Sequence, residues 1–183
     1  MTTATDKAAR AGISRRDFVG ALAAAGLGQP LCLPMEDVTI VEFHDDGRPL
    51  RTVTVPKIEK SDAQWRKQLS ALSYRVTREG ATEPAFSGQY WETRDRGIYR
   101  CVCCNTALFH SAAKFFPGTG WASFWKAIAE RNVVHDKPEI GGSGSRVACR
   151  RCDAHLGNIR NDSTTLSRFR YSIDSAAIRF FPG

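Results

Sequence analysis

The sequence predicts a mainly β domain preceded by a short helical segment, on three observations. From Tyr90 onward, short apolar runs alternate with Gly, Asn, Asp and Pro, which is typical of strands joined by tight turns. Residues 61–79 instead carry apolar residues at helical spacing. Two Cys-x-x-Cys pairs lie far apart within the strand-rich part. A chain of 183 residues with this composition can bury one core of ordinary size.

The first segment, residues 1–30, has the pattern of an export signal. Twin arginines at Arg15 and Arg16, with Phe18 close behind, precede a short run of small apolar residues that reaches Leu27. This arrangement resembles a bacterial twin-arginine signal, and the run is too short to cross a bilayer. We therefore expect export to the bacterial periplasm without stable membrane insertion. An amphipathic N-terminal helix is the alternative.

The second segment, residues 31–60, predicts a hairpin or linker. Two β-rich runs, Val38–Phe43 and Leu50–Val55, flank Asp45-Asp46-Gly47. Acidic residues followed by glycine favour a tight turn between paired strands.

The third segment, residues 61–183, is predicted to form the folded domain. Ser61 and Gln64 have the spacing of a capping box, so a helix is expected to begin there. A second, shorter helix is expected near residues 73–79. Apolar residues recur at the spacing of a helix face, at Trp65, Leu69 and Leu72.

The two cysteine pairs predict a metal site. Cys101 and Cys104 form one pair, Cys149 and Cys152 form the other, and 44 residues separate the pairs. Each pair bends into a tight turn that directs two thiolates to one point, and four thiolates suit one tetrahedral Zn²⁺ ion. Because all four positions are filled, the zinc is expected to be structural. Two disulfides are the alternative, although a Cys-x-x-Cys disulfide is strained.

Two further cysteines and the charge distribution suggest no second site. Cys103 lies between zinc ligands and is interpreted as a spectator, and Cys32 as an unpaired thiol. The net charge is +7, but no dense Lys/Arg run is present, so a nucleic-acid partner is not expected. A zinc-ribbon nucleic-acid binder is the unrelated alternative; it would usually have more closely spaced cysteine pairs and a basic, aromatic surface.

Around the cysteines the sequence becomes specific. About residues 64–181 resemble the methionine-R-sulfoxide reductase (type B) family, through several motifs that agree in order and spacing. These are Gly97 to Phe109 around the first cysteine pair, Gly118-Thr119-Gly120-Trp121-Ala122-Ser123-Phe124, Cys149 to Gly157, and Arg170-Tyr171-Ser172-Ile173-Asp174-Ser175.

The resemblance implies a fold and a reaction. The fold would be two antiparallel β-sheets in an open barrel-like arrangement, with the zinc away from the active site. A cysteine thiolate would attack the sulfur of methionine-R-sulfoxide in oxidised proteins and become a sulfenic acid. A second thiol or a thioredoxin-like reductant would then resolve it. The class implied is oxidoreductase, in protein repair under oxidative stress.

Four residues match positions of the family's substrate pocket. Trp121 matches the aromatic that packs on the sulfoxide methyl group, and His155 matches a histidine that binds solvent or the sulfoxide oxygen. Asp162 and Arg170 match an acidic and a basic pocket residue. Taken without the resemblance, Trp121 also fits a core, His155 a packed neighbour of the zinc ligands, Arg170 a solvated strand, and Asp162 a turn.

The sequence departs from the family at the catalytic position. Ser172 stands where the family has its nucleophilic cysteine, and serine has no sulfenic state. Other departures are Asn158 for a second pocket histidine, Asp174 for an asparagine, and Arg168 for a glycine. Thr119 stands at a position that some members use for a resolving cysteine.

Three interpretations of Ser172 follow. The chain has a degraded active site and is either a doubtful reductase or an inactive, zinc-stabilised module that binds methionine sulfoxide. Alternatively, Cys103 or Cys32 supplies the thiol, which their positions disfavour. The third, an engineered inactivating change, does not explain why Asn158 and Asp174 also differ.

Overall fold

The two β-rich runs near the N-terminus pair as predicted. In the computed structural model, which describes residues 36–136 and 144–183, β1 (Asp37–Phe43) and β2 (Pro49–Pro56) form a two-stranded antiparallel sheet. Gly47 lies in the connecting turn with a φ of 83°, a conformation that favours glycine. The hairpin is therefore confirmed, whereas the predicted export signal and Cys32 lie outside the described residues.

Two helices follow, α1 (Asp62–Gln68) and α2 (Ala71–Glu79). The predicted capping box is confirmed: the Ser61 hydroxyl accepts from the backbone N–H of Gln64, whose side chain accepts from the N–H of Ser61. The expectation that Leu72 extends the same apolar face is wrong. Ser70 caps a new helix, and Leu72 is 46% exposed.

In the described part of the chain, no helix is both long and apolar enough to cross a membrane.

Eleven strands in the described residues, all paired antiparallel, make up the sheets. A three-stranded sheet has the order β11-β3-β4, and a six-stranded sheet has the order β5-β6-β10-β9-β8-β7. The mainly β, open barrel-like arrangement that the resemblance implied is confirmed, and the barrel does not close. The bounds are β3 Gly97–Cys101, β4 Ala107–His110, β5 Lys114–Phe115, β6 Ala122–Phe124, β7 Val133–His135, β8 Ser145–Cys149, β9 His155–Asn161, β10 Phe169–Ile173 and β11 Ile178–Pro182.

The core lies between these two sheets and is held by aromatic contacts. Phe109 of β4 stacks on Phe124 of β6 with ring centroids 4.5 Å apart, and contacts Tyr171 of β10 at 5.5 Å. Tyr99 of β3 meets Phe124 edge-on at 5.1 Å. Such pairs add to the free energy gained by burying the rings. Because Tyr171 points into this core, the alternate residues of β10 face the other way.

A buried asparagine fixes the hairpin to the rest of the domain. Asn132, fully buried in a 3₁₀ turn (Glu130–Asn132), bonds to both backbone groups of Val41 at 2.8 Å. Its amide also donates to the carbonyl oxygen of Ala107 at 2.8 Å. One side chain thus satisfies polar groups of β1 and β4 that burial would otherwise leave unpaired.

Candidate functional site

The four cysteines predicted to bind a metal lie together. The Sγ atoms of Cys101, Cys104, Cys149 and Cys152 all lie within 4.8 Å of one another. The Cys101–Cys152 and Cys104–Cys149 sulfur distances are 3.7 and 3.5 Å. Four thiolates about 2.3 Å from a tetrahedral ion would be about 3.8 Å apart, so the cluster fits such an ion. All four cysteines are free thiols in the structure, so neither Cys-x-x-Cys pair forms the alternative disulfide there.

The two cysteine turns are built in the same way. The backbone N–H of Asn105 donates to the carbonyl oxygen of Cys101, and that of Asp153 donates to Cys149, at 2.9 and 3.0 Å. Asn105 and Asp153 have φ values of 63° and 54°, a left-handed conformation that Asn and Asp tolerate better than most residues. An Asn or Asp directly after each Cys-x-x-Cys was the sequence signal for this geometry. Cys103 is buried inside the first turn and is not one of the four clustered cysteines.

A separate cavity of about 200 Å³ opens on the face of β10 that points away from the core. Strand register places its residues: Ser172 lies opposite Asn158 of β9, and Arg170 lies opposite Arg160. Side chains from the segment just before β6 and from the loop after α2 complete the wall. The full lining is Thr82, Thr119, Trp121, Asn158, Arg160, Arg170, Ser172 and Asp174.

A glycine allows β9 to approach β10 beside this cavity. Gly157 has a φ of 143°, and a Cβ there would overlap the carbonyl oxygen of Ser172. No other residue type fits both the conformation and the close approach. The strand that carries Asn158 is thereby held directly against the strand that carries Ser172.

Trp121 forms the aromatic part of the wall. Its ring is partly buried, and its Nε1–H donates to the carbonyl oxygen of Glu83 at 3.1 Å. This bond fixes the orientation of the indole, which therefore presents a defined apolar surface to the cavity.

Asp174 and Glu83 form a buried acidic pair at one end of the cavity. The two residues are 1% and 2% exposed. The Glu83 carboxylate accepts from the N–H groups of Ser175 and Ala176 at 2.6 and 3.0 Å, and the Glu83 N–H donates to Asp174 Oδ1 at 3.0 Å. Desolvation raises the pKa of Asp174 to about 7, against the lowering effect of the Glu83 N–H, and the Glu83 charge adds to the rise. Asp174 therefore titrates near neutral pH.

Several polar atoms of the wall are unsatisfied. Thr119 Oγ1 and Arg170 Nε are buried without a hydrogen-bond partner in the described part of the chain. Arg170 does make an ion pair through Nη1, 3.3 Å from Asp162 Oδ2. Buried polar atoms are rarely left unpaired, so the cavity is suited to a ligand with a polar atom of its own.

Two predicted pocket residues lie outside the cavity wall. His155 is 6% exposed, and its Nδ1 accepts from Arg146 Nε at 3.3 Å. Burial, and secondarily the Arg146 charge, lowers the pKa of His155, which favours its neutral form. Asp162 reaches the site only through its ion pair with Arg170. It also accepts from the N–H of Thr164, as a turn residue does.

Comparison with known proteins decides the family. Residues 69–182 match the SelR domain. The peptide methionine sulfoxide reductase MsrB of Herminiimonas arsenicoxydans is 47% identical over 125 residues, which is 68% of this chain and 91% of that protein. The MsrB proteins of Synechococcus sp. and Acinetobacter baylyi are each 41% identical, over 132 and 124 residues. These alignments cover 71% and 67% of this chain and 96% and 89% of those proteins. The chain belongs to the MsrB family.

In an MsrB-family chain, the resemblance places the nucleophile at Ser172. The structure brings Ser172 into one cavity with Trp121, Asn158, Arg170 and Asp174, all of which were predicted as site residues. Their proximity is a structural finding, and their roles in binding or catalysis stay predictions.

Sequence reasoning missed three residues around the cavity. Arg160 follows Asn158 by two positions on a strand, and this spacing was a usable signal for a shared face. Thr82 and Glu83 come from the loop after α2, and no local pattern marks a glutamate that will be buried.

Proposed function

We propose that this chain binds methionine-R-sulfoxide side chains of oxidised proteins and does not complete their thiol-dependent reduction. One observation carries the proposal: the MsrB-family cavity contains an oriented indole and unsatisfied polar atoms but, among the described residues, no thiol. The relatives are named peptide methionine sulfoxide reductases, which supports the same substrate class for this cavity.

The cavity supplies both kinds of contact that a methionine sulfoxide needs. The Trp121 ring offers an apolar surface for the methyl group. Around it, the Ser172 hydroxyl, the Asn158 amide and the Arg170 guanidinium line the same wall and carry hydrogen-bond donors for the sulfoxide oxygen.

The missing thiol argues against reduction. Family chemistry requires a sulfur that becomes a sulfenic acid and is reduced again, and a serine hydroxyl has no such cycle. None of the five described cysteines lines the cavity: four form the metal cluster, and the fifth, Cys103, is buried between two of them. A thioredoxin-like reductant would therefore act only on a variant with a cysteine at position 172.

We further propose that the four clustered cysteines hold one Zn²⁺ ion. Zinc is redox-inert and accepts a tetrahedral set of four thiolates, which leaves no position for a substrate. It would therefore join the turn after β3 to the turn after β8 and act structurally.

Binding of a small model peptide tests the main proposal. In isothermal titration calorimetry, N-acetyl-methionine-(R)-sulfoxide methylamide is expected to bind more tightly than its (S) epimer or the unoxidised methionine analogue. Trp121→Ala is expected to weaken binding by at least about tenfold, since the burial of an aromatic ring contributes roughly 1.5–3 kcal/mol.

The matched control is Trp125→Ala, which removes a partly buried tryptophan that does not line the cavity. Its affinity should stay within about twofold of that of the unmodified protein. If the unmodified protein bound neither epimer, the binding proposal would be wrong. If it reduced the peptide with dithiothreitol, the claim that reduction is lost would be wrong.

For localisation, we propose export to the bacterial periplasm by the twin-arginine route, supported by the pattern of residues 14–27. Replacement of Arg15 and Arg16 by lysine is expected to retain the protein in the cytoplasm of a bacterial host. Fractionation measures this, and unchanged periplasmic recovery of the double variant would contradict the route.

A further inference from the structure

One acidic side chain of the cavity uses only one of its two carboxyl oxygens in the fold. Asp174 is 1% exposed and lines the cavity, and its Oδ1 accepts from the Glu83 N–H at 3.0 Å. Within residues 36–136 and 144–183, its second oxygen, Oδ2, has no hydrogen-bond partner. One carboxyl oxygen of a residue that lines the cavity is thus available to a ligand.

The surroundings of Asp174 decide its charge. Glu83 lies beside it in the loop after α2 and is itself buried. The buried face of α2 consists of Ser73, Tyr74, Val76 and Thr77 and supplies no cation. The next residues, in a 3₁₀ turn (Ser175–Ala177), are uncharged. A carboxylate placed among these groups is poorly solvated and lies near a second carboxylate, which favours the neutral acid.

The other charged groups near the cavity do not change charge near neutral pH. Arg160 and Arg170 line the wall from β9 and β10, and guanidinium groups remain protonated in proteins. Asp162 lies behind Arg170, and hydrogen bonds from Thr164 lower its pKa. Outside the wall, burial lowers the pKa of His155. Asp174, whose pKa is raised to about 7, is therefore the wall residue that titrates in this range.

We propose that Asp174 determines specificity in this cavity by donating a hydrogen bond from its neutral carboxyl group to the sulfoxide oxygen. A sulfoxide oxygen carries partial negative charge and only accepts hydrogen bonds. The protonated Oδ2 can donate to it, whereas an ionised Asp174 repels it and has no hydrogen to donate. Ligand binding is then coupled to proton uptake. This inference rests on the proposed binding of methionine sulfoxide.

The affinity of the unmodified protein at two pH values tests the coupling. With a pKa of about 7, the neutral fraction of Asp174 falls from about 0.9 at pH 6 to about 0.1 at pH 8. The dissociation constant for N-acetyl-methionine-(R)-sulfoxide methylamide is therefore expected to rise about tenfold. Calorimetry at pH 8 in two buffers of different ionisation enthalpy should also show uptake of about one proton per ligand bound.

Two isosteric variants complete the experiment. Asp174→Asn keeps a neutral donor at every pH, so its affinity should be the same at pH 6 and pH 8, with no proton uptake. Asp162→Asn changes a carboxylate that stays ionised throughout, so the tenfold ratio should persist even if the affinity itself changes.

The outcomes separate this inference from the proposed function. Equal affinity of the unmodified protein at both pH values, or an unchanged ratio in Asp174→Asn, would overturn the role of Asp174 alone. If neither the unmodified protein nor Asp174→Asn bound the peptide at pH 6, the proposed function itself would fail.

Discussion

Ser172→Cys is expected to give this chain the methionine-R-sulfoxide reductase activity that, under the proposed function, the unmodified protein lacks. The new thiolate attacks the sulfoxide sulfur, one proton is taken up from solvent, methionine leaves, and the sulfoxide oxygen stays on the enzyme as a sulfenic acid. Two thiols of dithiothreitol then reduce the sulfenic acid, releasing water and forming a disulfide in the reductant. Position 172 already faces the cavity beside Arg170, whose charge favours a thiolate. We expect a rate at least about a hundredfold above that of the unmodified protein, measured as methionine formed.

A neighbouring serine provides the matched control. Ser123 lies directly opposite Ser172 on β6 but is fully buried and does not line the cavity. Ser123→Cys adds the same thiol one strand away and should stay inactive. Equal turnover by the unmodified protein and Ser172→Cys would show that Ser172 is not the missing element. An inactive Ser172→Cys that still binds the peptide would show that the cavity lost more than its nucleophile.

Features encoded by neighbouring residues were predictable from the sequence. The capping box of Ser61 and Gln64 and the turn at Gly47 depend on side chains and backbone within a few positions, so their patterns predicted the structure. The four-cysteine cluster was also predictable, although it joins distant segments, because Cys-x-x-Cys fixes each half of the site locally.

The backbone conformation at Arg168 was predictable from the family resemblance, although the residue itself differs. The family resemblance places a glycine there, and the structure gives Arg168 a φ of 61°, in the region that glycine occupies most easily. The backbone of the loop thus keeps the conformation that the family residue would favour, although the side chain has changed.

Features that depend on long-range burial were not predictable. Asn132 resembles any polar loop residue in the sequence, yet it is fully buried and bonded to β1 and β4. Glu83 and Asp174 are 91 positions apart, and nothing local indicates that they form one buried pair. His155 follows the second cysteine pair and matches a pocket residue of the family. In the fold it is packed against Arg146 instead of lining the cavity. Each of these side chains is surrounded by segments that are distant in the sequence, and no local pattern predicts that these segments meet.

Removal of the metal is expected to unfold the domain. The four cysteines join the end of β3 to the end of β8, one segment in each of the two main sheets. Structural zinc in zinc-finger peptides contributes roughly 10–16 kcal/mol of binding free energy, whereas a whole domain is stable by about 5–15 kcal/mol. Cys149→Ser, or a strong chelator, should therefore abolish the cooperative thermal transition in circular dichroism. The native protein should contain about one zinc per chain by elemental analysis.

Cys103→Ser separates the loss of a ligand from the loss of a buried thiol. Cys103 is buried, like Cys101, and lies within the same turn, but its sulfur is not among the four that cluster. Its replacement should cost about 1–2 kcal/mol for a poorly paired hydroxyl and leave the zinc content unchanged. A Cys149→Ser chain that stayed folded without metal would show that the aromatic contacts between the sheets suffice on their own. The difference in stability between Cys149→Ser and Cys103→Ser thus measures how much of the stability of the fold depends on the metal ion and how much on the packed core.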